Sequence, residues 1–236
     1  MRTTSVSCLR PLTVSWLLGL AACSSSPSAE EVSDELIALT EFQAGIATFY
    51  DATGAGHCGY DKSPEDMDVA AMNAPQFAGS AVCGSCAEVQ GPKGTVRVRI
   101  VDSCPECAAG HLDLSREAFA KIANMVDGRV QTQWRLVTCA VAGPVRYRIK
   151  EGSSEYWTAI QVRNHRLPIA KFEWQKSGTW VEVRRLDYNY FVEEKGMGAG
   201  AVKVRITATD GQALEDTLPS IQPEKTFDGA AQFKAE

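Results

Sequence analysis

The chain has 236 residues, of which 44% are hydrophobic and 22% charged, and its formal net charge at pH 7 is -5. This length fits one large or two small globular domains, and the hydrophobic fraction is that of an ordinary folded protein. The negative charge excludes a typical nucleic-acid-binding protein, which needs a basic surface. It also argues against attraction of an acidic polymer by overall charge.

The first residues predict an export signal. Arg2 and Arg10 supply positive charge, and the apolar stretch that follows them is too short to span a bilayer. We therefore predict a cleaved signal peptide over residues 1–22 and an exported protein.

The end of this signal has the form of a lipoprotein cleavage site. The letters Leu-Ala-Ala-Cys end at Cys23, whose thiol would carry the lipid. Residues 23–41 are rich in Ser, Asp and Glu, which is typical of a flexible tether. The alternative is ordinary signal cleavage in which Cys23 has no role. We predict a protein anchored by lipid to the outer membrane or cell surface, with no other contact with a membrane.

Six of the eight cysteines lie between Cys58 and Cys139. Six cysteines allow fifteen connectivities. Two pairs have Cys-x-x-Cys spacing, Cys83 with Cys86 and Cys104 with Cys107, and the seventeen residues between the pairs also suit a zinc ribbon. Export favours disulfides, and zinc would leave Cys58 and Cys139 unused. Neither pair lies in the strand–helix–strand pattern of a thioredoxin-like redox centre.

Short strands dominate the first module, which we place at residues 42–142. Residues 95–101 alternate apolar and polar side chains, as a strand with one buried face does. Residues 45–50 and 134–138 are also predicted strands. Ser115 is a suitable N-cap for a helix over residues 116–125. Many short strands with one or two short helices predict a small β-barrel.

The second module, residues 145–236, contains no cysteine. Three of its segments alternate as strands do, at residues 171–175, 179–184 and 201–207, with turns at 176–178 and 209–211 between strands. Evenly spaced strands without helices predict a β-sandwich.

Motifs in both modules resemble those of expansins, which are plant cell-wall-loosening proteins with bacterial relatives. The segments that carry the resemblance are residues 45–50, 58–60, 83–86, 102–104, 111–115, 134–139, 150–165 and 186–191. His111-Leu-Asp113 stands where plant members have His-Phe-Asp, and the match runs from about Phe42 to the end of the chain. The resemblance implies a mainly β protein, with a six-stranded double-psi β-barrel followed by an immunoglobulin-like β-sandwich that binds cellulose.

The resemblance also implies a disulfide pairing and a polysaccharide groove. The implied disulfides are Cys58–Cys83, Cys86–Cys139 and Cys104–Cys107. The implied groove residues of the barrel are Thr48, Tyr50, Asp102 and Asp113, of which Asp113 matches the aspartate required for wall loosening. Cys104 stands where some bacterial relatives carry a groove tyrosine, and Tyr60 is a candidate substitute.

Two of these motif residues have structural alternatives. Asp102 is either a groove carboxylate or a turn residue that caps backbone N–H groups. His111 is either a participant in binding or a packed, hydrogen-bonded residue.

By resemblance, the cellulose-binding surface of the second module is a strip formed by Tyr156, Trp157 and Tyr188, with Lys150 nearby. Adjacent residues on a regular strand face opposite sides. Tyr156 and Trp157 therefore share a surface only where the backbone is irregular, as at a bulge. The alternative is that one of the two lies in the core.

The predicted function is non-hydrolytic binding and loosening of cellulosic plant-type wall by a monomer that needs no cofactor and no metal. The predicted partners are cellulose and related β-glucans, with xyloglucan and peptidoglycan as further candidates. A competing hypothesis is an endoglucanase with Asp113 as general acid, for which Asp102 is the nearest second carboxylate by sequence. A peptidoglycan lytic transglycosylase and a carbohydrate-binding protein with an inactive barrel are two further hypotheses.

Overall fold

The computed structural model describes residues 37–235. The predicted signal peptide, Cys23 and the first part of the predicted tether lie outside this range. Within it, β-strands form one closed barrel, one four-stranded sheet and one five-stranded sheet. Among these residues no helix is long and apolar enough to cross a membrane, and no group of three or more His, Cys, Asp or Glu side chains is arranged to hold a metal ion.

Six strands close the barrel in the order β1-β5-β2-β4-β3-β6, and β1 pairs with β6. They are β1 (Gln43–Tyr50), β2 (Val69–Asn73), β3 (Cys86–Gly91), β4 (Gly94–Cys104), β5 (His111–Ser115) and β6 (Val130–Val137). The pairs β1–β5 and β2–β4 are parallel and the others are antiparallel. The prediction of a mainly β protein with a six-stranded barrel is confirmed.

Two short helices accompany the barrel, α1 (Ala74–Phe77) and α2 (Arg116–Ile122). Ser115 caps α2 as predicted, because its side chain accepts the N–H of Ala118 at 3.1 Å. The predicted helix over residues 116–125 ends three residues early. The backbone of Ala123 is extended, which ends the helix. Asn124 then caps a separate 3₁₀ turn over Met125–Asp127, and its N–H donates to the Asp127 carboxylate at 3.2 Å.

The structure joins the six cysteines as Cys58–Cys83, Cys86–Cys139 and Cys104–Cys107. This is the pairing that the expansin resemblance implies. The six sulfurs are therefore unavailable for a zinc ribbon. The three bridges span 25, 53 and 3 residues of sequence respectively.

Residues 37–40 are hydrogen-bonded to the end of β6 and correct the predicted extent of the flexible tether, 23–41. Leu39 N–H donates to the Leu136 carbonyl at 2.8 Å, and Leu136 N–H donates to Thr40 Oγ1 at 2.9 Å. An isolated antiparallel bridge joins Ala38 to Val137. Residues 38–40 therefore bond to backbone N–H and C=O groups at the end of β6, as an added strand does.

The C-terminal region, residues 145–235, consists of two sheets. Their strands are β7 (Arg146–Ile149), β8 (Thr158–Arg163), β9 (Ile169–Lys176), β10 (Thr179–Glu182), β11 (Arg184–Arg185), β12 (Phe191–Glu193), β13 (Val202–Ala208), β14 (Ala213–Leu218) and β15 (Thr226–Asp228). The sheet orders are β10-β9-β13-β14 and β11-β12-β8-β7-β15. Tyr147 and Ile160 from one sheet share a buried core with Phe172 and Val204 from the other.

The barrel contacts the C-terminal region through the loop that carries Cys58. The Cys58 carbonyl accepts hydrogen bonds from Gln161 Nε2 at 2.7 Å and Asn189 Nδ2 at 3.3 Å. Arg163 Nη2 donates to the neighbouring Gly59 carbonyl at 3.2 Å. Because these donors lie on β8 and just before β12, the outer face of the five-stranded sheet is the face that meets the barrel.

Candidate functional site

A row of four residues crosses the outside of the barrel. Thr48 on β1 lies opposite Asp113 on β5, Asp113 lies opposite Ala71 on β2, and Ala71 lies opposite Asp102 on β4. Residues directly opposite on neighbouring strands share a face of the sheet. With strands roughly 4.8 Å apart, the Cα atoms of the two aspartates are separated by about 10 Å. The small side chain of Ala71 leaves a groove between them.

Thr48 connects His111 to Asp113. The Thr48 hydroxyl donates to Asp113 Oδ1 at 2.5 Å and lies 2.8 Å from His111 Nε2. A hydroxyl carries a single proton. Since that proton goes to the carboxylate, His111 must donate from Nε2, which fixes its tautomer. His111 therefore orients the groove through Thr48, and this favours its structural alternative.

The environment shifts the pKa values of Asp113 and His111, the two ends of this network. Burial raises the pKa of Asp113; the Thr48 hydrogen bond opposes this shift, and the nearby Glu106 and Asp102 add to it. Burial and the neighbouring Arg129 lower the pKa of His111, which keeps the imidazole neutral near pH 7.

Asp102 is built into a loop. Its Oδ1 accepts the backbone N–H of His57 at 2.7 Å and of Ser103 at 2.8 Å. A Cβ on Gly56 would lie 2.4 Å from the Asp102 Cγ, so only glycine lets this loop approach so closely. Asp102 thus fulfils its capping alternative and also lies in the groove row.

Tyr50 lies two residues after Thr48 on β1 and so faces the same side. Its hydroxyl is buried and has no hydrogen-bond partner among the described residues. Burial raises the Tyr50 pKa, and the charges of Asp102 and Asp113 raise it further. The neutral phenol is therefore an unused hydrogen-bond donor that lies buried beneath the groove, next to two carboxylates.

Tyr60 is not in this groove, and the prediction that it substitutes for a groove tyrosine is wrong. Its half-buried side chain lies at the contact between the barrel and the C-terminal region, where Asn189 Nδ2 is 3.3 Å from its hydroxyl. The guanidinium groups of Arg99 and Arg163 lie 5.5 and 5.6 Å from the ring centroid. Tyr50 is instead the tyrosine that packs with the Cys104–Cys107 bridge.

Asp102 and Asp113 differ in what they can do chemically. Two-carboxylate glycosidases place the carboxyl groups roughly 5–5.5 Å apart when they retain configuration and about 6.5–9.5 Å apart when they invert it. Here Asp102 Oδ1 is already engaged by two backbone N–H groups. Asp113 has a pKa raised by burial, which suits proton donation.

The second candidate surface lies on the outer face of the five-stranded sheet. Trp157 and Tyr188 are half-buried and pack on the same small cluster, formed by Ala159, Tyr190 and Val192. The rings of Tyr188 and Tyr190 are 5.8 Å apart. The structure therefore brings together two of the three predicted strip aromatics, which are thirty-one residues apart in the sequence.

Tyr156 lies beside this cluster on a tight turn. An isolated bridge joins Ser154 to Trp157, which leaves Glu155 and Tyr156 at the turn. Tyr156 is 74% exposed. The required backbone irregularity is therefore a turn. It leaves Tyr156 outside the core, whereas Trp157 is half-buried and packs on the cluster of Ala159, Tyr190 and Val192. The Lys150 N–H donates to the Ala159 carbonyl at 2.9 Å, which places Lys150 beside the start of β8.

His57 links the groove to the strip, and the sequence analysis missed it. Its N–H binds Asp102, its Nε2 lies 3.9 Å from Asp187 Oδ2, and Asp187 precedes Tyr188. The ring also packs edge-on against Phe77 at 5.5 Å. A single His in a turn-rich loop shows no periodic pattern that would mark it in the sequence. The nearby Gly56 and Gly59 were the one sign that this loop lies close to another part of the backbone.

Comparison with known proteins covers both parts of the chain. A family model for a double-psi barrel, described as lytic transglycolase, matches residues 42–134. Expansin-YoaJ of Bacillus subtilis is 43% identical over 204 residues, which span 83% of this chain and 84% of that protein. The chain belongs to the expansin family. Expansin-like protein 5 of Dictyostelium discoideum is 30% identical and covers 83% of this chain and 87% of its own length.

Solved expansin structures agree with this assignment. The apo expansin of Clavibacter michiganensis superposes with a TM-score of 0.75 at 34% identity, over 83% of this chain and all of that chain. A mutant of the same expansin, solved in complex with cellohexaose, gives a TM-score of 0.75 at 33% identity. This structural match covers 83% of the chain. It therefore extends beyond the barrel, whose last strand ends at Val137, into the C-terminal region.

Proposed function

We propose that this expansin binds cellulose and related β-glucans and loosens plant-type cell wall without cutting the glucan chain. The observation that carries the proposal is the continuity of the two surfaces. The loop of His57 reaches from Asp102 in the groove to Asp187 beside Tyr188 in the strip. A single extended glucan chain lying on both surfaces would be held by hydrogen bonds at one end and by rings at the other.

Affinity comes mainly from the C-terminal region, which we propose is an immunoglobulin-like cellulose-binding sandwich. Rings of Tyr156, Trp157 and Tyr188 stack on the flat faces of glucose units, and Lys150 bonds a sugar hydroxyl. Each ring that buries apolar surface contributes about 2 kcal/mol. After association costs, the expected affinity is roughly micromolar. The cellohexaose complex of the Clavibacter relative supports this class of ligand.

Loosening depends on the barrel groove in this proposal. The Asp113 carboxyl accepts a hydrogen bond from a sugar hydroxyl, the half-buried Tyr50 ring packs against the sugar, and Thr48 and Asp102 hold the groove in shape. In this proposal Asp102 serves the loop of His57, whose N–H it accepts, and the groove grips and displaces a chain that it does not hydrolyse. Xyloglucan is a further candidate ligand because it shares the glucan backbone.

A second candidate function is a peptidoglycan lytic transglycosylase. The observation in its favour is the family model over residues 42–134, which is described as lytic transglycolase. A reaction driven by one acid would need only Asp113, whose pKa is raised. The aromatic strip is not needed for that reaction.

The proposal includes an exported monomer held by a lipid on Cys23. Mass spectrometry of the mature protein tests this point, since lipidation adds the mass of a diacylglyceryl group to a chain that begins at Cys23. A chain that begins elsewhere, or carries no lipid, contradicts it.

The function is tested by a creep assay on cellulose paper and wall strips beside a reducing-sugar assay, with wild type, Asp113→Ala and the exposed control Glu117→Gln. We expect creep without sugar release, lost in Asp113→Ala and kept in the control. Sugar release that Asp113→Ala abolishes indicates an endoglucanase. Muropeptide release from purified sacculi indicates the transglycosylase. Creep that survives Asp113→Ala but is lost in Trp157→Ala indicates a binding protein with an inactive barrel.

A further inference from the structure

A cleft of about 970 Å³ lies between the barrel and the C-terminal region. Its barrel wall comes from the loop after Tyr60 and from β4, and its other wall from β7, β8 and the residues that follow β8. None of the eight candidate glucan-binding residues lines it. The cleft is therefore a feature separate from the groove and the strip.

Two pairs of arginines line the opposed walls of this cleft. Arg97 and Arg99 are two residues apart on β4, so both point to the same side. Arg146 on β7 and Arg163 on β8 are direct partners in the antiparallel register. Like charges directly opposite on neighbouring strands destabilise a sheet. Each arginine also has an aspartate partner, since Arg146 lies 3.0 Å from Asp228 and Arg163 lies 2.6 Å from Asp61. These ion pairs offset the repulsion between the two guanidinium groups.

The cleft is basic although the chain is acidic. Lys62 adds a fifth cation to the lining, which contains three carboxylates, Asp61, Asp66 and Asp68. The whole chain has a formal net charge of -5. Two ion pairs join the lining to residues outside it: Asp68 pairs with Lys121, and Arg146 pairs with Asp228. One lining carboxylate and one lining cation are thereby neutralised from outside. The local charge therefore has the opposite sign to that of the whole molecule.

The acidic partners inside the cleft are the exposed members of their pairs. Asp61 lies 2.6 Å from Arg163, and their side chains are 73% and 18% exposed. Asp66 lies 3.2 Å from Arg99, and their side chains are 62% and 29% exposed. Exposed ion pairs contribute little to stability. An incoming anion can therefore take the place of these aspartates on the more buried guanidinium groups.

The size of the cleft and the spacing of its cations indicate which class of ligand it binds. A volume of about 970 Å³ is at the upper end of the range for ligand pockets, far more than a single phosphate fills. The cations lie along two facing walls, which suits a chain with repeated charges better than a point charge. Arginine binds carboxylates in a two-pronged geometry. We propose that this cleft binds a short segment of an acidic polysaccharide whose successive sugars carry carboxylates.

The test measures binding of an oligogalacturonate to the full mature protein by calorimetry, with cellohexaose and inorganic phosphate as the uncharged-sugar and sugar-free arms. We compare wild type with Lys62→Gln and Arg146→Gln, which each remove one cleft cation, and with Lys93→Gln, which removes an exposed charge outside the cleft. Each cleft variant should weaken oligogalacturonate binding by about threefold to tenfold. Lys93→Gln should change it less than twofold.

A gain of binding provides the complementary arm. Asp66→Asn removes a competing carboxylate and should tighten oligogalacturonate binding by a similar factor. Binding of cellulose should be unchanged in all four variants, so that failure here is distinguishable from failure of the glucan-binding proposal. Lys62 is exposed, so its variant is informative even where Arg146→Gln lowers stability.

Three results would overturn the proposal. The first is no oligogalacturonate binding by wild type at millimolar concentration. The second is an equal loss in Lys93→Gln and Lys62→Gln, which would indicate attraction by overall charge. The third is equally tight binding of inorganic phosphate, which would reduce the cleft to a simple anion site.

Discussion

The barrel and the C-terminal region bury their cores in different ways. The barrel core contains many small residues, namely Ala47, Ala70, Ala87, Ala118 and Ala123, together with Cys58 and Cys83. The core of the C-terminal region contains one alanine, Ala208, and is filled with larger side chains such as Tyr147, Phe172 and Trp174. All three disulfides lie in the barrel. Covalent links thus accompany the core that contains more small side chains.

The two candidate surfaces also differ in the interactions that build them. The groove is a hydrogen-bonded network in which His111 orients Thr48 and Thr48 orients Asp113. The strip is a packed aromatic patch, with Trp157 and Tyr188 resting on other apolar side chains. Hydrogen bonds orient a sugar, whereas rings supply most of the binding free energy. Under the proposed function, the groove would therefore orient the glucan and the strip would supply most of the affinity.

The largest effect that separates the two regions is expected from Cys86→Ala combined with Cys139→Ala. This bridge spans 53 residues, so its loss should destabilise the barrel by about 4 kcal/mol in the chain-entropy account. Amide hydrogen exchange should show lost protection in β3 and β4 and retained protection in β9 and β13. Cys104→Ala combined with Cys107→Ala is the matched control, with about 1–2 kcal/mol expected for a bridge spanning three residues. Equal loss of protection in both regions would show that they do not differ in this way.

His165 follows β8 and packs against Gly84 of the barrel region, where an added Cβ would lie 2.5 Å from its Nε2. This contact between the regions should weaken in acid. Burial lowers the pKa of His165 from 6.5 to about 4, so between these values the unfolded chain binds a proton that the folded protein does not. The stabilising effect of the neutral ring is complete above the unfolded pKa near 6.5 and is lost as the pH falls toward 4. The loss amounts to about 3 kcal/mol.

Urea unfolding of wild type and His165→Gln between pH 7 and pH 4 measures this effect. The variant should show a shallower fall of the free energy of unfolding with pH, since it lacks the titrating ring. Identical pH slopes in the two proteins would show that His165 is not the group that senses acid at this contact. His165 Nδ1 donates to the Leu167 carbonyl at 2.8 Å, a bond that glutamine can imitate.

Trp157→Ala tests whether affinity belongs to the C-terminal region. Removal of one stacking ring should cost about 2 kcal/mol, or about thirtyfold in cellulose binding. Trp180→Ala is the control, because Trp180 lies on β10 of the opposite sheet. A depletion assay with microcrystalline cellulose measures both. Similar losses in the two variants would mean that the strip has no special role.

The smallest effect is expected from Asp113→Asn on stability. Burial raises the Asp113 pKa in the folded protein, so ionisation at pH 7 opposes folding. Asparagine removes this opposition, and the variant should be as stable as wild type or more stable by less than about 1 kcal/mol, because solvent screens a half-exposed group.

Thermal unfolding at pH 7 and at pH 4 provides the measurement. The difference between wild type and Asp113→Asn should shrink as the pH falls, because the wild-type carboxyl then takes up a proton. A variant that is clearly less stable at pH 7 would show that the charged carboxylate supports the fold. Such a result would make the groove a structural feature of the barrel, like its disulfides.

Short-range patterns in the sequence predicted much of the fold. The alternation of residues 95–101 predicted the strand that became β4, and Ser115 predicted the start of α2. The end of α2 was missed, because Asn124 and Asp127 form their own capped turn. The cysteine spacing indicated disulfides but left fifteen pairings open. Only the family resemblance narrowed these to one.

The site was less accessible to such patterns. His111 and Asp113 are two residues apart on one strand, and a period of two places them on one face. Thr48 joins them only because β1 pairs in parallel with β5, sixty-five residues further along. Tyr60 was misassigned because nothing local shows that its loop is covered by Asn189.

The amino-acid sequence alone determined the strand-rich class, the stapled first module and the motif around Asp113, since each depends on residues that are close in the chain. Only the tertiary structure decided that Asp102 caps the loop of His57, that Tyr156 lies on a turn, and that arginines face each other across a basic cleft in an acidic protein. Such features depend on barrel closure and on the packing of two regions, which bring together residues far apart in the chain. Composition averages over these placements, and periodicity does not extend beyond a single strand or helix.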